Sequence, residues 1–174
     1  PRVDANVYAE ENGLAIAALA ALYEATGDPR VLARARRAAD LVLSKHVDAE
    51  GRVKHDAESP REVFYLADGA SLGYALARLA EVAPESGASY LAAADRIAAW
   101  MVRDLLDPAD GALLGHTPDP DATGVFSQRR KPYMGNVNAA RLLAEEICAP
   151  APPLRAPGGG CPTAHIVHAC DPVQ

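Results

Sequence analysis

Apolar residues run unbroken from Leu14 to Tyr23, ten positions without a polar side chain. The run is too long for a typical strand and rich in helix formers, so it predicts a helix buried on every side. Gly27 stops that helix, and Asp28-Pro29 supplies an N-cap and a first-turn proline for the next one. The pattern then changes. Val31/Leu32, Ala35, Ala38/Ala39 and Val42 recur at helical spacing, while Arg30, Arg34, Arg37 and Lys45 fill the remaining face. This predicts an outer helix with one wet side. Tyr8 to His55 therefore reads as a helical hairpin, closed by a turn at Asp48-Ala-Glu-Gly51.

The plan repeats after about 60 residues. Ala67 to Ala83 is again nearly all apolar, and Pro84-Glu-Ser-Gly87 is read as a break. Tyr90/Leu91, Ala94, Ile97/Ala98, Met101 and Leu105 then trace a one-sided helix. Asp107-Pro-Ala-Asp-Gly111 is the counterpart of the first turn and sets His116 against His55. A loop over Thr117–Pro132 leads to a third inner helix, Asn136–Ile147, with no outer partner after it. The predicted class is all-α, about two and a half αα-hairpins alternating buried and half-buried helices. That alternation suits an (α/α)6 toroid, in which inner helices surround a funnel and outer helices face water. Two and a half hairpins make only a partial barrel. An open solenoid and a plain five-helix bundle are the alternatives. Residues 1–148 form the predicted domain. Residues 149–174, with the Pro/Gly-rich Pro150–Gly160, are read as a disordered or irregular tail.

Composition narrows the partners. The 174 residues are one domain's worth, Ala-rich with only 5% aromatics, which favours close-packed helices. A net charge of −6 argues against a nucleic-acid or anionic-membrane surface. No apolar run approaches the ~20 residues of a membrane span. Cys148, Cys161 and Cys170 all lie near the end, so the body is not disulfide-stapled and a cytoplasmic location is expected. The first residue is Pro1 rather than Met, leaving room for an upstream leader or domain.

Three ordered stretches carry a family resemblance. They are Glu11-Asn-Gly-Leu14 followed by Leu22-Tyr-Glu-Ala-Thr-Gly-Asp28; Tyr65-Leu-Ala-Asp68; and Asp119-Pro-Asp121 with Arg129-Arg-Lys-Pro132 and Asn136. Their order and spacing resemble the second half of the spermatogenesis-associated thioredoxin-like proteins over roughly residues 5–147. The resemblance implies a six-hairpin, glycosidase-like α/α barrel preceded by further hairpins and a thioredoxin-like domain, both absent from this sequence. It implies a sugar-enzyme architecture more than a reaction. Glu11 stands where the family usually has an aromatic residue, and nothing in the tail after Cys148 matches.

In such a toroid, polar residues at inner-helix N-termini and the adjoining loops gather at the funnel. Carbohydrate chemistry needs one carboxylic acid to protonate a leaving oxygen and a second carboxylate as base or nucleophile. Moving a proton at an aldose end needs a His or carboxylate pair. The candidate acids are Glu11, Asp68, Asp119 and Asp121. Asn12, Tyr65, His116, Arg130, Lys131 and Asn136 are the candidate contacts to a carbohydrate or polyol, with Glu10, Asn138 and His55 nearby. Each has a plainer reading. Glu11 and Asp68 complement a helix N-terminus, Asp119 and Asp121 flank a turn proline, and His55 and His116 bond turns. The basic triplet Arg129-Arg130-Lys131 suits an anionic group or solvent. Gly69-Ala-Ser71-Leu-Gly73 matches a nucleophile elbow but aligns with a buried helix, where small residues serve packing. Cys161, His165, His168 and Cys170 are crowded for a zinc site, with disorder or a Cys161–Cys170 disulfide as the other readings, and no Gly-rich phosphate loop or dinucleotide fingerprint appears, so no metal and no cofactor is expected. The rival to an enzyme is a helical-repeat scaffold binding another protein.

Overall fold

The computed structural model describes residues 4–148, with side chains through Ala144. The tail from Pro150 and its Cys/His cluster lie outside the described residues. Five helices carry the fold: α1 (Ala9–Thr26), α2 (Pro29–His46), α3 (Leu66–Val82), α4 (Pro84–Leu105) and α5 (Tyr133–Cys148). One 3-10 turn, Gly124–Ser127, interrupts the loop before α5. Only isolated antiparallel bridges, such as Tyr8 with Asp56 and Tyr65 with His116, stand beside the helices among the described residues. None of the described helices is long and apolar enough to cross a membrane.

The local signals act as expected at the first corner. Gly27 ends α1 at φ 65° and donates its N–H to the Tyr23 carbonyl, 2.8 Å away. The Asp28 carboxylate accepts from the Arg30 N–H at 2.9 Å, and Pro29 opens α2. The corner between α3 and α4 is tighter than the sequence suggests. Only Ala83 separates them, Pro84 is the first residue of α4, and Gly87 lies inside that helix. Proline needs no N–H partner in a first turn, so it starts a helix where a break was expected.

α1, α3 and α5 form an inner row. α3 lies between α1 and α5, with α4 behind it, while α2 backs α1 and touches α3 only lightly. Close approach rests on glycine. A Cβ on Gly13 would lie 2.7 Å from the main chain of Ser71 and Leu72, and one on Gly73 would lie 2.5 Å from Leu142. The sequence predicts α1 to be buried all round, and here the structure differs. Leu14 is 51% and Leu22 47% exposed, because among the described residues α1 has an inner neighbour on one side only. α3, flanked on both sides, is the enclosed helix, with twelve of its seventeen residues buried.

Ser71 is one of those twelve, at mid-helix and 2% exposed. The elbow reading fails because among the described residues there is no sheet to strain a turn at Ser71, and its buried hydroxyl is closed to solvent. Gly69, two residues before it, faces the rings of α4 instead. A Cβ there would lie 2.6 Å from Trp100, which is fully buried and meets the Phe64 ring edge-on at 6.2 Å.

The two complete hairpins share one hydrogen-bond plan. Lys54 N–H donates to His46 and Leu114 N–H to Leu105; Ala9 N–H donates to His55 and Leu66 N–H to Gly115, all at 2.8–3.0 Å. This corrects the alignment of the histidines. His55 corresponds to Gly115 and His116 to Asp56, because the second turn holds one more residue before Ala112 pairs with Asp107 than the first holds before Arg52 pairs with Asp48.

Candidate functional site

Both complete inner helices start at one end of the molecule and start alike. Tyr8 (φ −103°, ψ 139°) and Tyr65 (φ −105°, ψ 141°) are their N-caps, and neither side chain caps its helix. Both rings are therefore free to line the rim. Tyr8 stacks on His55 at 4.7 Å and 18°, His55 meets Tyr65 edge-on at 5.9 Å, and Tyr65 lies 6.0 Å from His116.

Three cavities adjoin this row of rings. One of about 270 Å³ is lined by Tyr8, His55, Arg61 and Tyr65. A second, about 430 Å³, lies beyond Tyr65 among Arg61, His116, Asp119 and Asp121. A third, about 460 Å³, continues past His116 and Phe126 to Gln128 and Arg130. Neighbouring cavities share lining residues, so they form one ring-lined groove.

Asp68 lies behind His55, in the first turn of α3, with its side chain 1% exposed. Its Oδ1 accepts the Glu10 N–H at 2.9 Å and faces His55 Nδ1 at 3.0 Å. A carboxylate takes Nδ1 as the donor, which leaves Nε2 as the imidazole's working nitrogen. Asp68 Oδ2 is buried without a hydrogen-bond partner. Burial raises the Asp68 pKa against the lowering effect of His55 and the Glu10 N–H. Burial pulls His55 down, but its hydrogen bond to Asp68 and the charges of Asp68, Glu11 and Glu10 outweigh that and leave it above its ordinary value. Both shifts describe one pair that surrenders protons late. The half-exposed imidazole carries the shared proton, since the carboxylate already accepts two donors. Burial, then the charges of Asp68 and Glu11, raises Glu10 as well.

The other sequence-derived candidates divide. Glu11 is exposed at the head of α1 and acts on the pair through its charge. Asn12 donates to the Tyr8 carbonyl at 2.7 Å. Asp119 pairs with Arg61 at 2.7 Å while its Oδ1 accepts the Asp121 N–H at 3.1 Å, a turn bond beside the cavity that both acids line. His116 Nδ1 lies 2.7 Å from the Thr117 carbonyl, and its ring borders two cavities. Arg130 lines the third cavity. Lys131 is drawn away to Asp107 and Asp110, 2.7 Å from each. Asn136 brackets the Leu113 main chain, accepting its N–H at 2.8 Å and donating to its carbonyl at 2.9 Å. Asn138 is half-buried on the same helix.

The sequence underrates His55 and does not single out Tyr8 or Arg61. The partner that orients His55 is thirteen residues away on the next inner helix, so local spacing carries no sign of it. The signal for Tyr8 was its matching place before each inner helix, shared with Tyr65. Among the described residues no group of three or more His, Cys, Asp or Glu side chains could hold a metal ion.

An inner row of helices backed by outer ones, with polar groups gathered at the inner N-termini, defines part of an α/α toroid of the six-hairpin glycosidase-like kind. Solved structures agree. The chain is similar to a GH76 alpha-mannanase from Bacteroides thetaiotaomicron (23% identity, TM-score 0.59, 83% of this chain and 45% of that one). It is also similar to the unsaturated glucuronyl hydrolase of Bacillus sp. GL1 (19%, 0.66, 82% and 40%). A D-mannose isomerase matches at 14% identity and TM-score 0.64, over 80% of this chain and 37% of that one. The chain thus spans less than half the length of the structures it matches, and at these identities the likeness is one of fold. No family model and no curated protein matches. The likenesses bear out the six-hairpin barrel fold that the family resemblance implied, and none of them points to the spermatogenesis-associated thioredoxin-like family or to a thioredoxin-like domain.

Proposed function

We propose that this chain supplies part of the substrate funnel of a sugar-processing α/α barrel, and that His55, oriented by Asp68, moves a proton on a bound sugar or polyol. The observation that carries the reading is the buried Asp68 carboxylate held at 3.0 Å to Nδ1 of His55, which lines a groove between Tyr8 and Tyr65. Orienting an imidazole through Nδ1 frees Nε2 as a base near neutral pH, the requirement for shifting a proton beside an aldose carbonyl. Tyrosine and histidine rings offer apolar faces for sugar C–H groups and polar edges for hydroxyls. The fold-level likeness to a mannanase, a glucuronyl hydrolase and a mannose isomerase supports the substrate class by analogy.

In this reading Asp68 is a positioning residue. Glu11 and Glu10 bias the charge of the pair, and Asp119 or Asp121 supplies the second acid across Tyr65. Asn12, Tyr65, His116 and Arg130 contact the ligand. Lys131 and Asn136 spend their side chains on the fold. The remaining hairpins, a fused thioredoxin-like domain and a cytoplasmic setting belong to the same proposal. An immunoblot of the endogenous product tests that part: a band no larger than 174 residues encode would remove it.

The test of chemistry is NMR-detected isomerisation, epimerisation or hydrolysis across a panel of aldoses, ketoses and oligosaccharides by the endogenous-length protein. His55→Gln should abolish turnover with binding retained. Asp68→Asn should lower kcat and shift the pH profile to lower pH. Turnover untouched by both changes would end the assignment. The scaffold reading draws on the exposed leucines of α1 and gains if no sugar binds.

A further inference from the structure

The three inner helices share one register. Asn12, Gly69 and Asn136 each donate their N–H to the residue that opens their helix, Tyr8, Tyr65 and Pro132. In that register every inner helix has two unlike faces. One carries Ala9, Gly13, Ile16 and Ala20 in α1 and Leu66, Ala70, Gly73 and Ala77 in α3, and it packs on the helix that follows. The other carries Ser71, Leu72, Ala75 and Leu79 in α3, with Ala139 and Leu142 as its counterparts in α5. It packs on the helix before. The same positions in α1 are Leu14, Ala15, Ala18 and Leu22, and all four are exposed.

A side-chain socket accompanies that face. Asn136 holds the main chain of Leu113, the residue that bridges to Leu106 beyond the end of α4 in the hairpin before it. Asn12 keeps the inner half of this arrangement, donating to the Tyr8 carbonyl as Asn136 does to that of Pro132 at 2.9 Å. Among the described residues nothing occupies its outer half. At the third equivalent position Gly69 has no side chain, and Trp100 fills the space.

We infer that the open face of α1 is the seat of another αα-hairpin of this same kind, and that Asn12 keys it by bracketing the main chain of that hairpin's closing turn. The occupant carries three small residues, glycine among them, and one larger aliphatic residue at spacings of four, three and four along its inner helix, because Gly13 and Gly73 permit the equivalent contacts. Its closing turn presents an extended apolar residue with N–H and C=O both unpaired, as Leu113 does to Asn136. The inference concerns assembly and stands whether or not the groove processes sugars.

The test extends the chain with its own repeat. Replacing residues 1–7 by a second copy of residues 65–131 places a duplicate of α3 and α4 before Tyr8 in the correct register. Amide exchange in α1 should slow at least about tenfold, and the melting temperature should rise above that of the parent. Asn12→Ala should then lower the melting temperature of the extended chain far more than that of the parent. Unchanged α1 exchange in a folded extended chain would overturn the inference. The parent chain gives an independent arm. Leu14→Ser with Leu22→Ser should lower its melting temperature by only a few degrees, about the loss of helix propensity, and by much more in the extended chain, as befits an open face. A large drop in the parent chain, or a dimer in sedimentation that Leu14→Glu dissolves, would show a second copy on this face and defeat the assignment.

Discussion

Asn136 separates a fold role from a ligand role, and the structure sets the size of the effect. Replacing it by Ala leaves the Leu113 N–H and C=O without partners at a residue only 4% exposed. A buried unsatisfied group costs about 1–3 kcal/mol, and water admitted to the gap recovers part of that, so about 3 kcal/mol is expected for the two together. At this chain length each kcal/mol moves the melting temperature by about 2–4 °C, giving a fall of about 6–12 °C. Scanning calorimetry or circular dichroism reads it directly. Asn136→Asp should fare no better than Ala, because its second oxygen would face the carbonyls of Leu113 and Pro132. Asn138→Ala, on the same helix, should stay within about 0.5 kcal/mol of the parent. An Asn136→Ala protein that melts with the parent yet loses sugar binding would refute the bracket and return Asn136 to the ligand contacts.

The proton pair gives a pH prediction. His55 is raised in the fold, so its stabilising effect is complete below about pH 6.5 and is lost as pH climbs through the folded value. Asp68 is also raised, and its effect fades in the same direction but from the lower, carboxylate range. The melting temperature should fall as pH rises above about 6.5, and His55→Gln should flatten that fall; parallel curves would contradict the pairing. Gly13→Ala sets two effects against each other. Alanine gains up to about 1 kcal/mol of helix propensity, but its Cβ would sit 2.7 Å from the Ser71 and Leu72 main chain. The clash should win, lowering the urea midpoint, and a raised midpoint would mean that α1 and α3 do not touch there.

Much of the architecture was legible because hydrophobic periodicity is a local signal. The change from an all-apolar run to a one-sided helix marked inner and outer helices correctly in both hairpins. Where it misled, it was blind to neighbours. α1 and α3 read alike, but among the described residues only α3 has an inner helix on either side. Composition around Pro84 suggested a break because proline both stops and starts helices, and only the chain's direction into α4 decides which. Of the candidate site, the places of Asp68 and Tyr65 at an inner-helix N-terminus were legible, since they follow from the repeat. Pairing Asp68 with His55 depends on how the first turn folds over the next inner helix, and a one-residue difference between the turns was enough to align the wrong histidines. Lys131 and Asn136 looked like ligand groups because their partners lie in the turn after α4, more than twenty residues back.

Trp100 is the only tryptophan in the chain, and its burial between Phe64 and Gly69 makes it an optical reporter of one contact. Gly69 follows Asp68 directly, so the indole senses how firmly the head of α3 rests on α4. Its emission should be blue-shifted and poorly quenched by acrylamide in the native protein. Any ligand that displaces Asp68 should then be visible as a change in fluorescence, without a label and without knowledge of the reaction.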